Sequence, residues 1–275
     1  MLANLQRLFR YRSLIQTLVV RDLKARYRGS VLGFFWSFAN PLLLLMVYTF
    51  VFSVVLPGRF PGVEENYALF LFCGLLPWTW FSASLIEASN SLLVNGNLIK
   101  KVLFPAEVLP VVAVIANMVH FFLALPILLL ALAFFASRLP TISELLWFPV
   151  VIAVQFVMSL GFGLFLAALT VHFRDIKDLL SNLLTLWFFG TPILYPWTIV
   201  ADRGPSIAGL PPAGKVLLDL NPFAHLTISY QEILFYDGPY GHWKWLLVTA
   251  LVSIGLFISG YALFDRLRDS FAEEV

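Results

Sequence analysis

Long runs of apolar residues, separated by short polar stretches, fill most of the chain. A bilayer core about 30 Å thick is crossed by a helix of roughly 20 apolar residues. Six runs have a suitable length: 31–56, 67–86, 108–136, 145–171, 179–200 and 245–264. Backbone amides in lipid must bond within their own segment, and the runs lack the alternation of a membrane β-barrel. The pattern therefore predicts an all-α membrane protein with six transmembrane helices.

The composition agrees with a membrane environment. Hydrophobic residues make up 60% of the 275 residues and charged residues only 12%. A soluble domain carries about twice that charged fraction, so membrane lipid is an expected partner. The net charge of +2 gives no case for nucleic acid. The single cysteine, Cys73, excludes a disulfide within the chain and a metal site built on cysteine.

Lysine and arginine are distributed unevenly among the segments between the apolar runs. Thirteen lie in the N-terminal segment and in every second segment after it: Arg7, Arg10, Arg12, Arg21, Lys24, Arg26, Arg28, Lys100, Lys101, Arg174, Lys177, Arg266 and Arg268. Five lie in the remaining segments: Arg59, Arg138, Arg203, Lys215 and Lys244. Cytoplasmic loops carry the excess of basic residues. Both termini are therefore predicted to be cytoplasmic, as an even number of spans requires.

Residues 1–30 form a separate cytoplasmic segment ahead of a single transmembrane domain predicted for 31–275. Helical spacing places an apolar set and a basic set each on one helix face. These sets are Ile15, Leu18 and Val19, and Arg21, Lys24 and Arg28. Because a basic amphipathic helix lies flat at a membrane surface, the segment is predicted to be an N-terminal amphipathic interface helix.

Residues 201–243, between the fifth and sixth spans, are too many for a tight turn and too apolar for a solvated loop. Four prolines divide the segment into short pieces: Pro205, Pro211, Pro212 and Pro222. Short helices are predicted for 215–220 and 223–235. Such a segment can dip back into the outer part of the membrane where protein covers its backbone.

The inner loop at 95–105 combines two lysines with apolar side chains. Asn97 is a plausible helix N-cap and Pro105 would stop the helix. The residues between them include Leu98, Ile99, Lys100, Lys101, Leu103 and Phe104. Exposed apolar side chains at such a loop need a partner surface. They could rest on the bilayer or dock onto a soluble protein, and the loop by itself leaves both open.

Aromatic residues make up 16% of the chain, and several lie near the middle of predicted spans. These are Trp78, Trp80, Phe81, Trp187, Phe188 and Phe189. Aromatic faces in a pore would suit the apolar faces of sugar rings, and ordinary helix packing is the competing role.

The chain lacks the patterns of an enzyme or a motor. No G-x-S-x-G and no H-E-x-x-H occurs. Residues 209–216 imitate a phosphate-binding loop, but Val216 stands where a hydroxyl is needed for magnesium, and two prolines remove amide donors. No catalytic residue, no metal site and no cofactor of its own is therefore predicted. Ionisable residues within the spans are scarce, which argues against a proton-coupled carrier.

Residues 21–41 (RDLKARYRGSVLGFFWSFANP) and 98–105 (LIKKVLFP) are the most specific motifs of the chain. They resemble the entry to the first span and the coupling helix of one family, the type-2 ABC exporter permeases for bacterial polysaccharides such as O-antigen, capsule and teichoic acid. Residues 172–176 (HFRDI), 190–195 (GTPILY) and 220–222 (LNP) match further family patterns.

The resemblance implies a subunit of an ATP-driven exporter in the bacterial inner membrane. Two copies of the chain would assemble with two copies of a cytoplasmic ABC ATPase, which would bind ATP and magnesium. ATP-driven closure would push the coupling helix, from Asn97 to Phe104, and the interface helix with Arg21, Lys24 and Arg28. A channel at the homodimer interface would pass a lipid-linked polysaccharide, and O-antigen is the expected one. The central aromatic residues and Tyr195 are its candidate lining, and 201–243 would supply short outer gate helices.

Two other functions remain open at this point. One is a type-2 ABC permease for a small hydrophobic compound or drug. The other is a membrane-embedded enzyme that acts on lipid-linked sugars.

Overall fold

The structure is a computed structural model that describes residues 10–26, 28–31, 33–55, 63, 66–100, 104–136, 139–201, 212–237 and 239–275. Within these ranges every regular element is helical and none is a strand. The first two helices are α1 (Arg12–Arg26) and α2 (Trp36–Phe50), and a π-helical turn, Val51–Val55, continues α2. The helices that follow are α3 (Tyr67–Val94), α4 (Gly96–Ile99), α5 (Val108–Phe135), α6 (Ile142–His172), α7 (Ile176–Phe189), α8 (Trp197–Ala201), α9 (Ala213–Leu220), α10 (Pro222–Leu234), α11 (Trp243–Leu267) and α12 (Phe271–Glu274).

Four helical stretches of the described residues are long and apolar enough to cross a membrane. They are α3, α5, α6 and the stretch Trp243–Glu274 that begins with α11. Their positions match the second, third, fourth and sixth predicted spans. The first predicted span corresponds to the 15-residue α2 and its π-helical extension.

The prediction of one continuous helix over 179–200 is wrong. Helix α7 ends at Phe189, and residues 190–196 form a series of bends before α8. Pro192 and Pro196 have no backbone N–H, and a proline also disfavours helical conformation in the residue before it. The two prolines therefore break the helix although its residues remain largely apolar.

Helix α3 forms the centre of the fold. All residues from Tyr67 to Trp78 are buried, and α3 packs against both α5 and α6. Its largest fully buried side chains include Phe70, Phe72 and Trp80. A helix buried on all sides is typical of the core of a membrane bundle.

Helix α11 packs closely along α6 because two glycines face each other. A Cβ added to Gly260 would lie 2.3 Å from the carbonyl oxygen of Gly161. Small residues of this kind let membrane helices approach to backbone contact. A reciprocal capping box of Thr141 and Glu144 fixes the start of α6, with Thr141 N donating to Glu144 Oε2 at 2.7 Å.

The predicted N-terminal helix is present as α1, and it packs on protein. Leu18 and Val19 are buried in a cluster with Val108 and Val112 of α5. Residues 1–9 lie outside the described part of the chain. The apolar stripe predicted for the membrane surface thus lies partly against α5, while its location at a membrane surface stays a prediction.

Candidate functional site

Among the described residues of the predicted docking loop at 95–105, only a short stretch is helical. Helix α4 covers Gly96–Ile99, and Leu98 N donates to the carbonyl oxygen of Asn95 at 2.8 Å. The prediction that Asn97 caps the helix is wrong, because Asn95 is the single residue between α3 and α4 and occupies that position. Asn97 and Lys100 are exposed, whereas Leu98, Ile99 and Phe104 are half-buried. Lys101 and Leu103 lie outside the described residues.

The C-terminal turn packs beneath this loop. Phe271 is fully buried, in a cluster that also contains Ile99, Phe104 and Val275. A Cβ added to Gly96 would lie 2.3 Å from Val275 Cγ1. His172 Nε2 also lies 3.1 Å from Ser270 Oγ. The loop after α3, the end of α6 and the C-terminal turn therefore form one continuous surface, on the side predicted to be cytoplasmic.

The predicted basic face of α1 is exposed. Arg21 and Lys24 are exposed on the helix, and Arg28 is exposed in the turn that follows it. These side chains are placed where a second protein could reach them.

Arg26 differs from the other basic residues of α1 because it points into the bundle. Its guanidinium donates to Glu87 Oε2 on α3, and its Nη1 donates to Asn117 Oδ1 on α5 at 3.3 Å. Asn117 Nδ2 donates to the same Glu87 oxygen at 2.6 Å. Arg26 also pairs with Asp22, one turn earlier on α1, at 2.9 Å. Among the thirteen basic residues counted from the sequence, nothing distinguishes Arg26, and the available signal was a carboxylate and an amide within neighbouring apolar helices, which require a polar contact.

Four of the predicted channel aromatics form one cluster inside the chain. The ring centroids of Trp187, Phe188 and Phe223 lie 6.3, 5.7 and 5.1 Å from the ring centroid of Trp78. Phe81 lies 4.5 Å from Phe223 and 5.3 Å from Trp187. Trp78 and Phe81 are buried, and Trp187 and Phe188 are half-buried. This placement favours packing as the role of these residues, and their contact with a substrate stays a prediction.

The other predicted aromatics lie apart from that cluster. Trp80 is buried towards α5, where its Nε1 donates to the carbonyl oxygen of Val114 at 3.2 Å. Phe189 is 60% exposed at the end of α7. The half-buried Tyr195 donates from its hydroxyl to the carbonyl oxygen of Phe189 at 2.9 Å. Phe189 is thus the member of the predicted set that is most available to a ligand.

One amide connects two of the motifs that carried the family resemblance. Asn221 Oδ1 accepts hydrogen bonds from the backbone N–H groups of Phe223 and Ala224 and from Trp187 Nε1, at 3.1, 3.2 and 2.7 Å. Asn221 Nδ2 donates to the carbonyl oxygen of Gly190 at 3.0 Å and to Thr191 Oγ1 at 3.1 Å. Asn221 therefore caps α10 and joins it to the break after α7. The residues 220–222 alone do not indicate this role, because the partners of Asn221 on the far side of the contact lie about 30 positions away.

The short helices predicted between the fifth and sixth spans are present close to their predicted bounds. Helices α9 and α10 correspond to the predictions for 215–220 and 223–235, and residues 202–211 lie outside the described part. Helix α10 packs against α3, α6 and α11, and its residues 223–231 are all buried. Gln231 Nε2 donates to the carbonyl oxygen of Pro192 at 2.9 Å. Helix α10 is therefore a packed part of the bundle.

Two histidines connect α10 to the start of α11. His225 Nδ1 lies 3.1 Å from His242 Nε2, and the ring of Trp245 stacks on His225 with centroids 4.2 Å apart. Glu232 accepts from the backbone N–H groups of Gly241 and His242. Burial and the neighbouring His225 lower the pKa of His242 from its ordinary 6.5 to about 4. The imidazole pair is thus held neutral near pH 7.

Comparison with known proteins gives the family of this chain. Residues 13–235 match the family model described as ABC-2 type transporter. The O-antigen export system permease protein RfbA of Myxococcus xanthus is 41% identical over 275 residues, which cover 100% of both chains. A Klebsiella pneumoniae protein of the same name is 33% identical over 94% of each chain. The polysialic acid transport protein KpsM of Escherichia coli is a more distant relative, 21% identical over 66% of this chain and 69% of its own. The chain thus belongs to the membrane family of ABC-2 type transporters.

Proposed function

We propose that this chain is the permease subunit of an ATP-driven exporter that moves a polysaccharide of the O-antigen class across the bacterial inner membrane. The observation that carries the proposal is the full-length 41% identity to a protein named as an O-antigen export permease. The more distant relative is also named for a polysaccharide. These names favour a polysaccharide over a small hydrophobic compound or drug, and transport over an enzyme that acts on lipid-linked sugars.

The proposed topology has six membrane elements and cytoplasmic termini. Helix α7 has 14 residues and is about 21 Å long at 1.5 Å per residue, which is shorter than a bilayer core of about 30 Å. The bend after α7 and helices α8–α10 would fill the remaining outer depth. Backbone carbonyls of the bend are bonded to side chains, as a re-entrant segment requires. This supports 201–243 as the outer gate segment.

A second copy of the chain is the proposed partner of α7. One side of α7 is exposed along its length and mixes leucines with polar residues: Leu179, Ser181, Asn182, Leu183, Thr185 and Leu186. Asn182 Nδ2 and Thr185 Oγ1 already donate to carbonyl oxygens one turn earlier on α7. A facing copy or a polar channel would solvate the outward side of these polar residues, and lipid would not. The exposed Phe189 and the adjacent Tyr195 would then lie beside a channel for a lipid-linked polysaccharide.

The energy source in this proposal is a pair of separate ATPase subunits that bind ATP and magnesium. The inner surface built from α4, the end of α6 and the C-terminal turn supports docking there, because the partly exposed apolar side chains beside Lys100 need a partner. The exposed face of α1 would form the second contact.

The test combines Lys100→Glu with Lys101→Glu in the permease coexpressed with its ATPase. Reversal of two charges at the docking surface should weaken copurification of the ATPase by about tenfold or more, which corresponds to roughly 1.4 kcal/mol, and should abolish export. Lys244→Glu, at an exposed position on the predicted outer side, is the matched control and should change neither. Wild-type copurification and export in the double variant would refute the docking assignment. ATP hydrolysis by the intact complex without movement of polysaccharide would refute the substrate class.

A further inference from the structure

The three polar side chains that meet inside the bundle form a closed triangle. Arg26 ends α1, Glu87 lies on α3 and Asn117 lies on α5, and each side chain bonds to both of the others. The triangle therefore joins three separate helices. Hydrogen bonds in which one or both groups are ionised are roughly twice as strong as neutral ones.

Two cavities border the triangle, and Arg26 lies between them. A cavity of about 380 Å³ lies between α1 and the inner ends of α3 and α5, with Arg21, Asp22, Asn90 and Asn95 in its wall. A second cavity of about 290 Å³ is lined by Trp36, Asn40, Thr79 and His120. Arg26 lines both cavities. Residues of α1 and α3 both line the larger cavity, and the contact of Arg26 with Glu87 connects the two helices there.

The contact is also partly shielded from water. The side chains of Arg26 and Glu87 are 26% and 36% exposed, and Asn117 is buried. Neutralisation of one charge would leave the other charge beside apolar helices with a weaker partner. The loss of one member of a semi-buried ion pair is destabilising because the remaining charge is no longer compensated.

Helix α3 also continues directly into the docking loop. It ends at Val94, and only Asn95 separates it from α4. A displacement of α4 and a displacement of α1 would therefore both reach α3, the first through the chain and the second through Arg26.

We propose that Arg26, Glu87 and Asn117 form a clasp that holds α1 to α3 and α5 and transmits the movement of α1 to the membrane helices. The three are positioning residues, since they act through the helices they join. The transmission part rests on the proposed function, in which an ATPase moves α1. The clasp itself depends only on this chain.

The first measurement tests the clasp in the purified chain without a partner. Spin labels are attached at Val20→Cys on α1, where the valine is 48% exposed, and at Val94→Cys on α3, where it is 79% exposed. Cys73→Ala removes the native thiol. Glu87→Gln and Arg26→Gln should broaden the distribution of distances between the labels.

Asp22→Asn is the matched control. It removes a carboxylate that also pairs with Arg26 but belongs to the same helix, so it cannot link α1 to α3. It should leave the distances unchanged, and melting temperatures of all variants show whether each is folded. Unchanged distances in folded Glu87→Gln and Arg26→Gln, or equal broadening in Asp22→Asn, would overturn the clasp.

The second measurement tests transmission in the complex with the ATPase in proteoliposomes. Glu87→Gln and Arg26→Gln should lower export per ATP hydrolysed by at least about fivefold, the lower end of usual coupling strengths. The double variant should be no worse than either single variant, because all three break the same contact. Arg26→Lys should retain part of the coupling, since lysine keeps the charge without the forked geometry.

The outcomes separate the two ideas. Full coupling in the single variants, despite broadened distances, would overturn transmission through the clasp. A wild-type complex that hydrolyses ATP without exporting polysaccharide would refute the proposed function and transmission with it, while the distance measurement would still decide the clasp.

Discussion

Replacement of Asn221 by alanine tests whether one amide holds α10 to the break after α7. The side chain receives two backbone N–H groups at the start of α10 and the indole N–H of Trp187. It also donates to the carbonyl oxygen of Gly190 and to Thr191 Oγ1. Alanine removes all of these bonds and supplies no substitute.

The expected loss of stability follows from the groups that are left unpaired. Loss of an N-cap asparagine costs about 1 kcal/mol. A half-buried indole N–H without an acceptor costs about 1–3 kcal/mol more. Asn221→Ala should therefore lower the free energy of unfolding by roughly 2–4 kcal/mol, the sum of these two contributions.

The assay is denaturant unfolding of the purified chain in detergent, followed by tryptophan fluorescence and circular dichroism. Asn221→Asp is the control, because it keeps an oxygen acceptor for α10 and Trp187 and loses only the N–H groups donated to Gly190 and Thr191. It should be less destabilising than alanine. In a Trp187→Phe background Asn221→Ala should cost less than in the wild type, because no indole N–H remains to lose its acceptor.

The reasoning would be refuted by two results. One is a loss below about 0.5 kcal/mol for Asn221→Ala, which is the range of an ordinary surface substitution. The other is an equal loss with and without the Trp187 indole.

Three further predictions concern packing, pH and the channel. Gly260→Ala should destabilise the chain by about 1–3 kcal/mol, because the added methyl carbon would lie 2.3 Å from the carbonyl oxygen of Gly161 on α6. Gly255→Ala is the control and should leave the stability unchanged, because no atom lies within 4 Å of the added carbon. Equal melting temperatures of the two variants would contradict this prediction. Because the pKa of His242 is about 4 when folded and 6.5 ordinarily, the unfolded chain binds more protons, so stability should fall as pH drops from about 6.5 towards 4, by at most about 3 kcal/mol. If His242→Gln kept the full pH dependence of stability, that dependence would come from another group. Phe189→Ala replaces an exposed ring, and it should lower export and leave the melting temperature unchanged. Phe81→Ala replaces a buried ring, and it should lower the melting temperature. Full export by folded Phe189→Ala would show that Phe189 does not line the channel.

Much of the helical layout could be predicted from local patterns. The apolar runs at 67–86, 108–136, 145–171 and 245–264 became continuous helices, because lipid forces each backbone amide to bond within its own segment. Prolines and polar residues also placed α9 and α10 within about two residues of their observed bounds.

The predictions that were wrong also concern local features, and each has a physical reason. The run 179–200 is apolar enough for a span, but Pro192 and Pro196 deny it a continuous hydrogen-bond ladder. Asn97 has a residue type suited to capping, but Asn95 occupies the junction where α3 stops. The aromatic residues could not be divided into packed and exposed, since hydrophobicity does not say which helix face meets a neighbour.

The sequence by itself determined the class of this protein, its helical spans and the predicted bias of basic charge to one side, because each of these depends on short-range properties of the chain and on its solvent. Only the tertiary structure decided which polar groups meet. Arg26 and Glu87 are 61 positions apart, and Asn221 and Gly190 are 31 positions apart. Neither contact follows from periodicity, because a polar side chain in an apolar helix requires a partner but does not specify it. The partner is set by helix packing, which brings α1, α3 and α5 together at one point and α7 and α10 at another.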